Sequence, residues 1–112
     1  MPFKGIGIND NGKTVKIDTG IEHTEPYDLL IMSLGSCLYS TFEDILNKKK
    51  LSFKSLEMDI TGEKRKTVPT TLKYCNVVFL AEIDEKNEKS FVKSMELACK
   101  YCSIYNTISH VA

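Results

Sequence analysis

The stretch from Pro26 to Lys49, PYDLLIMSLGSCLYSTFEDILNKK, decides how this chain folds. Within it Leu30, Leu34, Cys37, Leu38, Thr41, Phe42 and Ile45 recur at spacings of three and four, the period of one helix face. Leu29, Ile31, Met32 and Leu46 widen that face into a broad arc. A helix apolar around so much of its girth is expected to be covered on more than one side, by a sheet and by a partner. Pro26 suits the first turn, where its missing N–H costs no bond, and Thr24 or Glu25 stands ready as a cap. Lys48, Lys49 and Lys50 close the stretch, cations at the negative end of the helix dipole. The prediction is a central buried helix.

On its N-terminal side, Phe3 to Asn9 and Thr14 to Asp18 read as strands joined by a turn at Asp10, Asn11 and Gly12. On its C-terminal side, Leu56, Met58 and Ile60 alternate with Glu57, Asp59 and Thr61, a half-buried strand ending near Gly62. After the turn-prone tract Glu63 to Pro69, the β-branched and aromatic run Thr71 to Ile83 returns as its antiparallel partner. Asp84 to Lys89 is polar. Ser90 to Tyr101 resumes helical spacing through Phe91, Met95, Ala98, Cys99 and Cys102, and Ser103 is a candidate cap for a short final turn. The order ββ-α-ββ-α predicts an α+β fold, an antiparallel sheet with helices on one face, as a single domain over residues 1–112.

Lys plus Arg and Asp plus Glu are both 15, with seven of each before Leu56 and eight from there on. Without a cationic face to neutralise phosphates, nucleic-acid binding is not expected. The first residues carry no secretory pattern and no uninterrupted apolar run reaches the ~18 residues of a membrane span, so a cytoplasmic protein is expected. In that compartment structural disulfides are rare, which leaves four cysteines to explain.

Cys99 and Cys102 have the C-x-x-C spacing of a thioredoxin-like site or half a zinc site. The redox version needs the pair at a helix start, whereas here the preceding residues read as helix, whose C-terminal dipole raises a thiol's pKa. The zinc version needs four ligands, and Cys37, Cys75, His23 and His110 offer no second close pair, so no metal is expected. Cys75, inside the long strand, and Cys99, on the Phe91 and Met95 face, read as small hydrophobes. Cys37 lies mid-helix among Ser33, Gly35, Ser36 and Ser40. Gly35 costs the helix about 1 kcal/mol relative to alanine, which suggests the close approach of another element or a ligand.

Two separated segments carry a resemblance. Pro26-Tyr-Asp-Leu-Leu-Ile-Met-Ser-Leu-Gly-Ser-Cys37 is similar to the central helix of the OsmC/Ohr family, which opens with proline, continues with a Leu-Leu type pair and reaches its first active cysteine eleven residues on. Ala98-Cys-Lys-Tyr-Cys102-Ser-Ile-Tyr-Asn106 resembles the family's second motif, a cysteine with an asparagine four residues on. The resemblance implies an intertwined homodimer with central helices at the interface. It also implies thiol-dependent reduction of peroxides, in which Cys37 would be the peroxidatic thiolate and Cys102 the resolving thiol. A dithiol would restore the pair, and no cofactor is implied. A non-catalytic module that binds a small ligand or senses redox state is the alternative.

Three departures stand out. Ser103 replaces the proline usual after the second cysteine. The peroxidase branches use an N-terminal arginine held by a glutamate directly after the helix-opening proline. Here Tyr27 follows Pro26, and the sole arginine is Arg65 in the hairpin loop. Candidate substitutes for the missing charge are Lys13, Lys16, His23 and His110, with Glu22 and Glu25 nearby in the loop before the helix.

Overall fold

The computed structural model describes residues 4–18 and 26–112. Its elements are β1 (Lys4–Ile8), β2 (Thr14–Asp18), α1 (Pro26–Lys48), β3 (Ser55–Lys64), β4 (Leu72–Glu82), α2 (Glu88–Tyr101) and α3 (Ser103–Ser109). The fold is α+β, as the element order predicted. Glu22, His23 and the candidate caps Thr24 and Glu25 lie outside the described residues. The chain forms two compact units, residues 1–32 and 33–112.

In the first unit, β1 and β2 pair antiparallel with Ile6 opposite Lys16. The turn is organised by Asn9, whose side-chain oxygen accepts from the N–H groups of Asn11 and Lys13, both at 2.9 Å. Gly12 takes the left-handed backbone (φ 78°) that the turn requires.

In the second unit, β3 and β4 form the antiparallel hairpin read from the alternation, with Leu56 opposite Ala81, Met58 opposite Phe79 and Ile60 opposite Val77. Their inward row packs on a core of Leu38, Phe42, Leu46, Phe91, Ala98 and Cys102. Phe42 stands at its centre. Its ring meets Phe79 and Phe91 edge-on, each with centroids 5.1 Å apart, the arrangement that ring quadrupoles favour. The buried face of α2 is Phe91, Ser94 and Ala98, with Met95 and Cys99 only half-buried. Ser94 is accommodated there because its hydroxyl donates to the Ser90 carbonyl at 2.7 Å.

Gly35 answers the question its sequence position raised. A Cβ there would meet the Ile60 side chain at 3.1 Å, so the glycine lets β3 approach α1. At its other end α1 stops without a glycine. Lys50 takes a left-handed backbone (φ 57°), its N–H bonds the Asn47 carbonyl at 3.1 Å, and the Leu51 N–H bonds the Leu46 carbonyl at 2.9 Å. That is a Schellman stop, with Leu51 also packed on the core beside Leu46.

One expectation is corrected. The described strands form two separate two-stranded sheets rather than one. Each ladder joins neighbours in sequence through a local turn, and alternation alone does not say whether two hairpins share an edge. Within the single chain the apolar arc of α1 is buried along one face, Leu34, Leu38, Phe42 and Leu46, while Met32 is 60% exposed. By length and composition α1 is also apolar enough to cross a membrane. That buried face instead forms the centre of the protein core.

A pair of unlike thiols at the α2–α3 corner

Cys102 is where α2 ends and α3 begins. Its backbone is extended (φ −71°, ψ 118°), and its N–H closes α2 on the Ala98 carbonyl at 2.9 Å. Its sulfur accepts the Tyr105 N–H at 3.4 Å, serving as the N-cap of α3. The sequence predicted Ser103 for that role. The cap position needs extended backbone, which Cys102 supplies, and Ser103 becomes the first helical residue.

Asn106 fixes the corner. Its side-chain nitrogen donates to the carbonyls of Cys102 (2.8 Å), Lys100 (3.0 Å) and, more weakly, Cys99 (3.4 Å). The Lys100 and Cys99 carbonyls belong to the set that a helix C-terminus leaves without intrahelical partners, while the Cys102 carbonyl also accepts the Asn106 N–H at 3.1 Å as the first bond of α3. The asparagine four residues after the second cysteine is thus a clamp on the end of α2.

The corner brings Cys102 to Cys37, which α1 presents from its middle. The sulfurs lie 3.1 Å apart as free thiols, with the Cys102 S–H donating to Cys37. Cys102 is 1% exposed, Cys37 is half-buried, and the Ser103 hydroxyl lies 3.8 Å from the Cys37 sulfur. On the other side of Cys37, Thr41 bonds its carbonyl at 2.8 Å and leaves the sulfur alone.

The two thiols are pushed in opposite directions. The Ile104 N–H bonds the Cys37 sulfur and most strongly lowers its pKa, helped by the Cys102 S–H, against some burial, and then by the Ser103 hydroxyl and N–H. Cys102 is raised first by burial, against the Tyr105 N–H, and further by its bond to Cys37 and by the Cys37 charge. Environments that separate the pKa values of a touching pair assign unlike roles to its members. The surroundings favour ionisation of Cys37 and disfavour that of Cys102.

The groups acting on Cys37 are all uncharged donors. None of the described candidates for a cation is among those groups. Arg65 is engaged within the hairpin loop, donating to the Leu72 carbonyl and to the Thr71 hydroxyl. His110 is exposed at the C-terminal end of α3. Lys13 and Lys16 are exposed on the first unit's hairpin, and His23 lies outside the described residues. What the sequence reading missed is the main chain of Ser103 and Ile104. The available signal was Ser103 itself, read as a helix start directly after Cys102, because a helix start leaves N–H groups free to donate.

Cys75 and Cys99 stand apart from this pair. They line one cavity of about 370 Å³ together with Val77, Phe79, Met95 and Tyr105. Burial raises both thiols, Glu96 adding to the effect at Cys99 and the Tyr105 hydroxyl opposing it. A smaller cavity of about 240 Å³ lies among Leu34, Tyr74, Cys75, Val77, Tyr105 and Ile108. Among the described residues no three His, Cys, Asp or Glu side chains gather as a metal site.

Comparison with known proteins gives a consistent result. The family model described as OsmC-like protein matches residues 18–112. Protein YhfA of Escherichia coli K12 is 22% identical over 102 residues, spanning 88% of this chain and 76% of its own. The crystal structure of an OsmC-like protein from Mycoplasma pneumoniae superposes with a TM-score of 0.73 at 17% identity, over 99% of this chain and 89% of that one. An organic hydroperoxide resistance protein OsmC from Legionella pneumophila gives 0.63 at 18% identity, over 96% and 88%. At these identities the solved structures share the fold.

Proposed function

Because this chain belongs to the OsmC-like family, soluble proteins with redox-related members, we propose that it is a thiol-dependent peroxidase working through Cys37 and Cys102. The observation that carries this reading is the polarised pair, two free sulfurs 3.1 Å apart with the more exposed one favoured as thiolate. The relative from Legionella is named for organic hydroperoxide resistance, which suggests the substrate class.

The Cys37 thiolate attacks the terminal peroxide oxygen. The O–O bond breaks, the sulfur is oxidised to a sulfenic acid, and the alkoxide takes up a proton to leave as the alcohol. Cys102 then attacks the Cys37 sulfur and loses its proton. The S–OH bond breaks, water departs and a Cys37–Cys102 disulfide forms. A bonded pair needs about 2.05 Å between sulfurs, so the 3.1 Å contact must close by about 1 Å. An external dithiol, itself oxidised, returns both cysteines to thiols by exchange.

A raised Cys102 suits the second role, because a buried protonated thiol does not compete for the peroxide. The reading includes a cytoplasmic homodimer in which the first half of α1 meets its copy, supported by the 60% exposure of Met32. Light scattering of wild type against Met32→Lys tests that part, and a monomeric wild type would exclude it.

Stopped-flow loss of thiol with cumene hydroperoxide tests the activity. Wild type should react well above the rate of a free thiol and Cys37→Ser should not. Equal, slow rates for both would leave the binding or redox-sensing module, for which mild peroxide should leave a persistent free dithiol in the mass spectrum.

A further inference from the structure

We propose that Ser103 is a positioning residue for the reduced Cys37 sulfur, donating to it from the first position of α3 and supplying part of what an arginine supplies in other activated thiols. The inference rests on the reading of Cys37 as the reactive thiol, and names the residue that tunes it. The Ser103 hydroxyl lies 3.8 Å from the sulfur, and the hydroxyl and then the main-chain N–H of Ser103 both act to lower the Cys37 pKa, after Ile104 and Cys102. Cys102 has its own place in the helix cap, donating to Cys37 while accepting from Tyr105. Among the described residues, Ser103 is the remaining side chain that hydrogen-bonds the Cys37 sulfur.

The backbone makes the choice of serine informative. Position 103 opens a helix, the place where proline is tolerated best because its N–H has no intrahelical partner there. The preceding residue must then be extended, and Cys102 already is, at ψ 118°. The local fold would accept a proline without a new constraint. A proline, however, carries neither the hydroxyl nor the N–H, so the two properties of Ser103 that proline lacks are the two that reach Cys37. Among the described residues, Cys102 is the one titratable group acting on Cys37, α3 contributes uncharged donors, and on its own helix Thr41 binds the carbonyl.

The test is the pH profile of Cys37 alkylation by iodoacetamide, read on the Cys37 peptide by mass spectrometry in the full chain. Ser103→Ala removes the hydroxyl, Ser103→Pro removes both donors, and Ser103→Thr restores the hydroxyl. The midpoint should rise in Ser103→Ala, rise further in Ser103→Pro and return towards wild type in Ser103→Thr. One or two lost hydrogen bonds to a thiolate correspond to a rate at neutral pH lower by about threefold to tenfold. A purely structural role would change the melting temperature and leave the midpoint in place. If the Ala and Pro variants both keep the wild-type profile, the proposal is wrong, and Ser103→Ala decides the matter alone if the proline variant fails to fold. The measurement needs no peroxide. A protein that shows these shifts but no peroxidase turnover would overturn the activity and retain Ser103 in its role.

Discussion

Cys102 donates its S–H to the Cys37 sulfur across 3.1 Å while its own sulfur accepts the Tyr105 N–H, so one thiol both caps a helix and holds another thiol's charge. The two duties can be separated by substitution. Cys102→Ala removes the donor to Cys37, whose pKa should move up towards that of an ordinary cysteine. Cys102→Ser keeps an O–H donor, though a shorter one, and should retain part of the shift. Alkylation of Cys37 at neutral pH should slow by about threefold to tenfold in the alanine variant and by less in the serine variant. Equal rates in all three proteins would show that the S–H contributes nothing.

The opposite displacements of the two thiols have opposite signs in stability. Cys37 is lowered on folding, so its contribution is present above the unfolded-state pKa and is lost as pH falls through the lowered value. Cys102 is raised, so its contribution is present below the unfolded-state pKa and is lost as pH rises through the raised value. Against the Cys37→Ser/Cys102→Ser double variant, Cys102→Ser should gain relative stability as pH rises from the lowered Cys37 value to the unfolded-state pKa, and Cys37→Ser should lose it as pH rises from the unfolded-state pKa to the raised Cys102 value. Cys75 and Cys99 are common to all three proteins and cancel. Urea unfolding at stepped pH measures the difference, and parallel curves would contradict the assignment.

The parts of this structure that were legible in the sequence are those set by local period and local turn chemistry. The three-and-four spacing of Leu34, Leu38 and Phe42 gave the core face of α1, and the alternation of Leu56, Met58 and Ile60 gave the inward face of β3. Gly35 announced a close neighbour, and that neighbour is Ile60. The pairing of Cys37 with Cys102, 65 residues apart, followed from no period and came from resemblance. The activation of Cys37 was sought among side chains, because sequence displays charge and conceals main-chain direction. It comes first from the Ile104 N–H at the start of α3 and then from the Cys102 S–H.

Asn106 makes a sharper test of the corner than either cysteine does. Asn106→Ala would leave the Lys100 carbonyl to solvent and the Cys102 carbonyl with the Asn106 N–H alone, and because the site is partly exposed the cost should be about 1–2 kcal/mol. Asn106→Asp replaces the donating amide with a carboxylate that faces those carbonyls, and it should be the more damaging of the two. The order Asn, Ala, Asp in chemical denaturation is the expected result. An aspartate variant as stable as wild type would mean that the amide's donation is not what holds the end of α2.

Gly35 and Ile60 test whether close approach or chance fixed the glycine. Alanine at position 35 should favour the helix by about 1 kcal/mol on intrinsic propensity. Its Cβ, however, would sit 3.1 Å from the Ile60 δ-carbon, tighter than ordinary contact, so that carbon has to move. Ile60→Val removes that carbon and should cost about 0.5–1.5 kcal/mol by itself. In the Ile60→Val background the clash is gone, the new methyl fills the space vacated, and Gly35→Ala should stabilise by about 1 kcal/mol. In wild type the same substitution should be neutral or unfavourable. The double-mutant cycle should therefore show a favourable coupling between the two positions, measured by urea unfolding. Simple additivity would mean that the spacing between α1 and β3 is not limited by these two side chains.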